Sequence, residues 1–302
     1  MKVIVTGASG FVGKAVCDEL SRSGHEVTAL VRVAGAEKCR DINAAHKVTC
    51  PMSDYGQLGE IIEERGFDAL YHFAWEGTSG DARSNYEVQT GNIAASCRLA
   101  EQCGKLGCKR FIYAASIMEY EAAALMETDK TPPPSMLYSS AKLAADYMTR
   151  SVAAANNVEY IRAVISNIYG VGEKSPRLIN TSIRKLLNGE HCSFTSGEQM
   201  YDFIYITDAA KMFAALAGKG KPSKTYYIGS REPRKLKDFL VEMRDAAAPG
   251  ADIGLGEIPS GGISLDYGIF DTDSVYDDTG IGQEVSFREG IIRTAEWIKE
   301  GN

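Results

Sequence analysis

The sequence predicts an α/β fold built on a doubly wound parallel sheet with helices on both faces. Short runs rich in β-branched residues alternate with amphipathic stretches through the first half of the 302-residue chain. This alternation requires right-handed crossovers, which place successive strands parallel and cover the sheet on both sides. A glycine-rich turn directly after the first run is typical of the same fold class.

The predicted strands and helices follow one another in regular order. Strands are predicted at residues 2–7, 25–32, 46–50, 69–74, 110–116 and 159–166. Helices are predicted between them at residues 13–23, 56–65, 92–106 and 135–156. The last helix begins afresh near Ser135, because the prolines at 132–134 cannot continue a helix from upstream.

The second half of the chain predicts a smaller companion region. After about residue 167 the elements shorten and the joints become richer in glycine and proline. We predict that residues 1–166 form a dinucleotide-binding domain, completed by a segment at about 203–228. Residues 167–202 and 229–302 are then expected to form a smaller, partly interleaved substrate-binding region.

Loops are expected to shape the substrate pocket. They are predicted around residues 75–90, 117–135 and 171–200, where the alternation of strand and helix is interrupted. Their conformations decide which substrate fits, so the sequence leaves the substrate open at this point.

Composition narrows the classes of partner. The chain is 44% hydrophobic and 24% charged, with a formal net charge of -7, which disfavours nucleic acid and anionic membranes as partners. No apolar run approaches the ~18 to 20 residues of a membrane span. The first residues carry no leader-like pattern, so we expect a cytoplasmic protein that acts on small molecules.

Cysteines and histidines give no indication of a metal. The seven cysteines include no Cys-x-x-Cys pair, and the four histidines stand far apart. We therefore expect reduced thiols and no metal site.

The stretch TGASGFVG places Gly7, Gly10 and Gly13 between the first strand and the first helix. The first glycine permits a tight turn, the second lets the backbone approach a pyrophosphate, and the third allows close packing of helix and strand. The helix N-terminus then offers N–H groups and a positive dipole end to phosphates. The G-x-x-G-x-x-G spacing is a variant of the dinucleotide motif, and a turn without a ligand is the alternative.

The residue after the second strand bears on the choice of cofactor. A carboxylate at that point would bind a ribose 2′-OH, but the sequence has Arg32 there. A guanidinium suits a 2′-phosphate, so we predict NADP(H), with NAD(H) as the alternative in which Arg32 is simply solvated.

Three residues form a candidate catalytic group. Tyr138 and Lys142 stand four residues apart on one helical face, where an ammonium can stabilise a phenolate and bring the phenol into the range of acid–base catalysis. Ser116 ends a predicted strand, at the edge where open α/β sheets bind ligands. A surface Tyr/Lys pair and a capping serine are the structural alternatives.

The motifs together resemble a known family. TGASGFVG, HFAW, RFIYAAS, YSSAK, NIYG and YDFIYITDAA occur in the order and approximate spacing of the extended short-chain dehydrogenase/reductases of the NAD-dependent epimerase/dehydratase family. The resemblance runs from residue 1 to about 245 and implies a Rossmann fold and nucleotide-sugar substrates. It implies that Tyr138 is the acid–base, that Lys142 binds the nicotinamide ribose and lowers the pKa of the phenol, and that Ser116 bonds the reacting sugar oxygen.

The resemblance also implies roles for residues outside the catalytic group. Those expected around the cofactor are Gly7, Gly10, Phe11, Val12, Gly13, Phe73, Ala74 and, as an organising residue, Asn92. Asn167 is expected at the diphosphate of the substrate. Arg177 would replace the family's arginine where this chain has Tyr201. Independently of the resemblance, Trp75 is expected to contact nicotinamide or sugar because it follows a predicted strand, with a core residue as the equal alternative.

Departures from the family restrict the reaction. The 4,6-dehydratases carry Asp-Glu where this chain has Ile117 and Met118, neither of which can move a proton, so we expect no dehydration. The prediction is an oxidoreductase that reduces a 4-keto nucleotide-diphosphate sugar with NADPH. A nucleotide-sugar 4-epimerase with bound NAD and a non-catalytic dinucleotide-binding regulatory protein are the alternatives. A homodimer paired through helices 92–106 and 135–156 is a further hypothesis.

Overall fold

A computed structural model describes residues 1–33, 35–259 and 265–301 of the chain. Its strands are β1 (Lys2–Thr6), β2 (Glu26–Val31), β3 (His46–Thr49), β4 (Ala69–His72), β5 (Arg110–Ser116), β6 (Glu159–Ile165), β7 (Asn167–Tyr169), β8 (Cys192–Phe194), β9 (Met200–Tyr201), β10 (Phe203–Tyr205), β11 (Thr225–Ile228), β12 (Arg234–Lys235) and β13 (Ile253–Leu255). Its α-helices are α1 (Phe11–Arg22), α2 (Leu58–Ile61), α3 (Tyr86–Lys105), α4 (Met118–Met126), α5 (Leu137–Ala155), α6 (Leu178–Leu187), α7 (Ile206–Lys219), α8 (Leu236–Ala247), α9 (Ser274–Thr279) and α10 (Phe287–Lys299). Short 3₁₀ helices lie at Glu37–Cys39, Met52–Gln57, Asp81–Ser84, Pro134–Met136 and Tyr267–Ile269.

The central sheet has seven parallel strands in the order β3-β2-β1-β4-β5-β6-β11. The strand order reverses between β1 and β4, and such a switch point leaves a crevice at the carboxyl edge of a doubly wound sheet. The predicted fold class is therefore confirmed, and each of the six predicted strands lies within two residues of an observed one.

The strands are buried on both faces, as parallel strands between two layers of helices must be. Val3 and Val5 belong to the core that α1 and α7 cover, whereas Ile4 belongs to the core that α3 and α5 cover. Successive residues of β1 thus face opposite cores, and the sheet positions its carboxyl edge rigidly between the two.

Two predicted helices differ from the structure. Residues 56–65 were expected to be helical, but only the single turn of α2 forms there. The Arg65 side chain donates to the carbonyl groups of Gly59 and Ile62, and the backbone is already extended at Ile62. The other helix, α3, starts earlier than predicted because the Asn85 side chain accepts from the N–H groups of Glu87 and Val88 and caps it.

All three predicted loops contain helical residues, and two of them contain whole α-helices. The segment 117–135 contains α4, whose sequence MEYEAAALM is rich in strong helix formers and could have been recognised. The segment 171–200 contains α6 and β8. The expectation of loops was wrong where these elements form, and residues of α4 and α6 contribute to the wall of the site.

The C-terminal part of the chain joins the same core. β11 lies beside β6 at the edge of the main sheet, and Phe287 and Ile291 of α10 belong to the core beneath α1 and α7. Three two-stranded sheets, β7 with β10, β8 with β13 and β9 with β12, lie outside the main sheet. The division into a dinucleotide domain and a substrate region stays a prediction. None of the helices in the described ranges is long and apolar enough to cross a membrane.

Candidate active site

The predicted site residues follow the carboxyl ends of neighbouring parallel strands. Gly7 follows β1, exposed Arg32 follows β2, Phe73 follows β4, Ser116 ends β5 and Asn167 begins β7 just after β6. Because these strands are parallel, their carboxyl ends lie along one edge of the sheet. Residues far apart in sequence are thereby brought to one edge of the sheet, and of these five Ser116 and Asn167 line the cavity described below.

Gly7 and Gly13 bring two segments of backbone into contact at the switch point. Gly7 has a φ of 65°, and a Cβ on it would lie 2.7 Å from the nitrogen of Ala74. A Cβ on Gly13 would lie 2.3 Å from the carbonyl oxygen of Gly7. The N–H of Gly10 donates to that same oxygen at 2.9 Å. The turn therefore requires glycine for close approach, as the sequence predicted.

Thr6 joins the ends of β1 and β4. Its hydroxyl oxygen accepts from the backbone N–H groups of Phe73 and Ala74, each at 3.1 Å, and lies 2.9 Å from Nδ1 of His72. Burial lowers the pKa of His72 to about 3, so its imidazole is neutral. We assign the ring proton to Nε2, which leaves Nδ1 to accept from the Thr6 hydroxyl.

The network continues through α3 to the loop that follows β4. Nε2 of His72 lies 2.9 Å from the hydroxyl oxygen of Ser96, which donates to the carbonyl of Asn92 at 2.8 Å. The buried amide of Asn92 both accepts from the N–H of Glu76 and donates to its carbonyl, each at 2.9 Å. Asn92 thus organises the loop, and its contact with a cofactor stays a prediction.

Gln89 was missed by the sequence analysis and holds the rest of that loop. Its buried amide accepts from Nε1 of Trp75 at 3.0 Å and donates to the carbonyl groups of Gly77 and Ala82 at 3.0 and 3.1 Å. Because residues 75–90 were expected to form a loop, no helical pattern in the sequence marked Gln89.

Lys142 lies one helical turn after Tyr138 and is buried. Its Nζ donates to the carbonyl oxygen of Ala114 at 2.7 Å and lies 4.2 Å from the ring centre of Trp75 and 4.7 Å from that of Tyr113. Burial lowers the pKa of the Lys142 ammonium to about 8. Trp75 therefore packs behind the catalytic candidates, and its contact with nicotinamide or sugar stays a prediction.

The Tyr138 ring is held between Trp75 and Arg83. The Trp75 ring meets it edge-on at 6.1 Å between ring centres, and the guanidinium carbon of Arg83 lies 4.0 Å from its centre. Burial raises the pKa of the phenol, whereas the positive charges of Arg83 and Arg177 lower it. Arg83 carried no motif in the sequence, so only the structure identifies it.

A buried ion network lies beneath Ser116. The carboxylate of Glu119 accepts from the Ser116 N–H at 3.0 Å and from the guanidinium of Arg162, whose Nε lies 2.9 Å from Asp146. Burial raises the pKa of Glu119 to about 7 against the opposing charge of Arg162. The network fixes the end of β5, and Glu119 also went unrecognised in the sequence.

Ser116, Tyr138, Asn167 and Arg177 line one cavity of about 510 Å³. The side-chain amide of Asn167 donates to the carbonyl of Asp202 at 2.9 Å. Arg177 precedes α6 with 56% of its side chain exposed. Tyr201 lines the same cavity, so an uncharged side chain stands where the resemblance leads one to expect arginine.

Metal ligation finds no support in the described ranges. No group of three or more His, Cys, Asp or Glu side chains there could hold a metal ion. The seven cysteines are free thiols, six of them buried.

Comparison with known proteins decides the family. The model of the NAD dependent epimerase/dehydratase family matches residues 3–229. The chain belongs to the NAD dependent epimerase/dehydratase family.

The relatives in this family are distant in sequence, and their names describe enzymes that act on nucleotide sugars. A trifunctional UDP-glucose 4,6-dehydratase/UDP-4-keto-6-deoxy-D-glucose 3,5-epimerase/UDP-4-keto-L-rhamnose-reductase of Arabidopsis thaliana is 22% identical over 99% of this chain. The match covers 47% of that protein, so the chain spans about half its length. CDP-abequose synthase of Salmonella typhimurium is 26% identical, with 82% of each chain covered.

Among solved structures, the UDP-glucuronic acid 4-epimerase of Bacillus cereus, in complex with UDP-glucuronic acid and NAD, has the same fold. It superimposes with a TM-score of 0.79 at 19% identity, and the match covers 100% of both chains. At that identity the similarity establishes the fold only. The reaction has to be inferred from the residues of the site.

Proposed function

We propose that this chain is an oxidoreductase that reduces a 4-keto nucleotide-diphosphate sugar with NADPH. The observation that carries the proposal is the cavity that Ser116 and Tyr138 share with Asn167 and Arg177. A hydroxyl and a phenol can both donate to one sugar oxygen, and a guanidinium in the same cavity suits a diphosphate. A volume of about 510 Å³ is in the usual range for small-molecule sites.

The turn after β1 fits the pyrophosphate of a dinucleotide. A side chain at Gly7 or Gly13 would clash with backbone atoms, so no side chain from these two positions covers the backbone of the turn. Gly10 caps α1 without a side-chain hydrogen bond, which leaves the first N–H groups of the helix, at Phe11 and Val12, for an anion. We infer that these five residues hold the pyrophosphate, with Phe73 and Ala74 lining the cofactor.

Arg32 supports NADP(H) over NAD(H). It is exposed directly after β2, next to the strand that carries the glycine turn, where a 2′-phosphate would lie in a bound dinucleotide. NAD(H) is the alternative, since the Bacillus cereus epimerase was crystallised with NAD.

The chemistry follows from two hydroxyl groups. The bound dinucleotide supplies the hydride for the carbonyl carbon. The Ser116 oxygen accepts from the N–H of Met118 at 3.2 Å, and the Ser116 hydroxyl also hydrogen-bonds the Tyr138 side chain. In the bound complex the Ser116 O–H would donate to the sugar carbonyl instead. Tyr138 donates its phenolic proton to that oxygen as the carbonyl becomes an alcohol. Lys142, on the same helical face, binds the cofactor ribose.

Dehydration is disfavoured by the cavity wall itself. Ile117 and Met118 both line the cavity, at the positions where 4,6-dehydratases carry their acid and base. Apolar side chains cannot assist the loss of water. Reduction and epimerisation need no further acid–base pair, so the apolar side chains of the cavity wall are compatible with both reactions.

A nucleotide-sugar 4-epimerase with bound NAD is the second candidate. It is favoured by the fold shared with the Bacillus cereus epimerase over the whole chain. The reductase is favoured by Arg32 and by the UDP-4-keto-L-rhamnose-reductase activity in the name of the Arabidopsis relative.

Two assays separate the candidates. NADPH oxidation is followed at 340 nm with UDP-4-keto-6-deoxy-glucose, and epimerisation of UDP-glucose and UDP-glucuronic acid is followed by chromatography with NAD. Tyr138→Phe should lower kcat by about 10²–10⁴-fold in whichever assay succeeds. Tyr276→Phe, on an exposed side chain of α9, is the control and should retain activity. Turnover of epimerase substrates alone overturns the reductase, and no turnover in either assay overturns both.

The proposal extends to domains and assembly. We propose that residues 1–166 with 203–228 hold the dinucleotide and that 167–202 with 229–302 hold the sugar.

We also propose pairing of two copies through α3 and α5, where Tyr86, Tyr147 and Met148 are 64%, 62% and 52% exposed. A monomeric mass in solution scattering at micromolar concentration would contradict the dimer.

A further inference from the structure

The Arg83 guanidinium covers one face of the Tyr138 ring. Its carbon lies 4.0 Å from the ring centre, and both residues line the same cavity. A cation at this distance is attracted by a neutral ring, and it is attracted more strongly by a ring that carries the negative charge of a phenolate.

The loop that carries Arg83 is held in place. The Arg83 side chain donates to the carbonyl of Thr78 at 3.1 Å, and its backbone N–H donates to Gly80 at the same distance. Gln89 anchors the carbonyl groups of Gly77 and Ala82 on either side. One hydrogen bond therefore holds the guanidinium itself, and the others hold the loop backbone that carries it.

The Lys142 ammonium has a hydrogen-bond partner and two ring contacts of its own. Its Nζ donates to Ala114 and lies over the rings of Trp75 and Tyr113. Its pKa is lowered by burial to about 8, so its charge disappears under alkaline conditions. A guanidinium stays protonated throughout that range.

Other charged groups face Tyr138 from every neighbouring element. Arg177, before α6, acts in the same direction as Arg83, whereas Glu119 of α4 opposes both. Tyr113 of β5 is also close enough to interact electrostatically with Tyr138. Arg177 is more than half exposed and lies 3.8 Å from the carboxylate of Glu173, so solvent and that carboxylate weaken its effect.

Arg83 also has an acidic neighbour. Glu121 of α4 interacts with it electrostatically, and burial raises the pKa of that carboxyl group. The carboxylate of Glu121 therefore offsets part of the positive charge of Arg83.

We propose that Arg83 is a positioning residue that holds the Tyr138 ring at the cavity wall and stabilises its phenolate. The proposal rests on the proposed function and adds to it. It assigns a second electrostatic partner to the phenol of Tyr138, namely Arg83 in the loop after β4, besides the lysine of the Tyr-x-x-x-Lys pair. It concerns a property of the protein without substrate or cofactor, and it can therefore be tested without turnover.

The test follows the titration of residue 138 directly. 3,5-Difluorotyrosine is incorporated at position 138, because its phenol is more acidic than that of tyrosine and titrates before alkaline unfolding. Its ¹⁹F NMR shift is followed against pH in the wild-type background and in Arg83→Gln, Arg83→Lys and Arg98→Gln. Arg98 is an exposed arginine of α3 and serves as the matched control. Circular dichroism establishes that each variant is folded.

Arg83→Gln should raise the midpoint by about one pH unit, the lower end of the effect of a nearby charge, because the site is partly solvated. Arg83→Lys should recover most of that change, and Arg98→Gln should cause none. Equal midpoints for wild type and Arg83→Gln would overturn the proposal, and so would equal shifts for Arg83→Gln and Arg83→Lys.

Kinetic measurements distinguish a failure of this proposal from a failure of the proposed function. If the wild-type protein turns over neither candidate substrate, the proposed function fails while the ¹⁹F titration still decides the role of Arg83. If it does turn over, Arg83→Gln should lower kcat at neutral pH and move the alkaline limb of the pH profile upward, with little change in KM.

Discussion

The Lys142 ammonium lies 4.2 Å from the centre of the Trp75 ring, inside the interface of α5 and the sheet. The loop after β4 therefore covers the lysine, and Gln89 holds the covering indole in place. The same burial lowers the pKa of Lys142 to about 8. A charged group is kept where charge is unfavourable, which is typical of residues retained for function.

Lys142→Met should stabilise the protein at pH 7 by on the order of 2 kcal/mol and abolish activity. Below pH 8 the folded wild type carries a buried ammonium that the variant lacks. Between pH 8 and the ordinary lysine pKa of 10.5, the unfolded chain binds more protons than the folded one, so wild-type stability rises with pH. The advantage of the variant should therefore shrink over that range in urea unfolding.

The control for this variant is Lys105→Met, since Lys105 is exposed and paired with Glu101 on α3. It should change stability by less than about 0.5 kcal/mol at every pH. A Lys142→Met protein that is less stable than wild type at pH 7, or a difference that does not vary with pH, would contradict the explanation.

Gly13→Ala and Gly91→Ala should act in opposite directions. The new methyl group at Gly13 would lie 2.3 Å from the Gly7 carbonyl oxygen, so the variant should lose about 2–4 kcal/mol and bind a dinucleotide weakly. Gly91 is exposed within α3 with no atom near its added Cβ, so its variant should gain about 0.5–1 kcal/mol. Guanidinium unfolding and fluorescence titration with NADPH measure both effects; equal stabilities would refute the close approach.

Arg32→Ala should raise the KM for NADPH by about 10–100-fold and leave the KM for NADH nearly unchanged, because a charge-assisted bond to the 2′-phosphate is lost. Arg40→Ala, another exposed arginine near the end of β2, is the control and should affect neither. Initial rates with each cofactor provide the measurement. A wild-type preference for NADH, or an equal loss for both cofactors, would show that Arg32 is merely solvated.

Arg177→Gln should raise the KM for the nucleotide sugar about tenfold or more with a small effect on kcat, because its guanidinium would contact the diphosphate rather than the reacting carbon. Lys185→Gln, an exposed residue of α6, controls for the loss of a positive charge nearby. Steady-state kinetics at fixed ionic strength give both constants. A fall in kcat with unchanged KM would place Arg177 at the chemical step instead.

The sequence predicted the framework of the site because local rules govern it. Ser116 ends a strand, Gly7 follows one, and Tyr138 lies on the helix after the triple proline; periodicity and turn chemistry determine each of these placements. The helix α4 was missed although its residues favour helix, since the segment was assigned by its position between better-defined elements. Arg83 and Glu119 carried no local pattern, and a charge alone does not indicate which side chain it faces.

What the amino-acid sequence determined by itself is the parallel sheet, the glycine turn and the order of residues along the carboxyl edge. Those features depend on hydrophobic alternation and on backbone sterics within a few residues. The tertiary structure alone decided that Trp75 covers Lys142, that Arg83 covers Tyr138 and that Glu119 lies beneath Ser116. Such contacts join residues from different elements, and they depend on how helices and loops pack against the sheet, which no local pattern specifies.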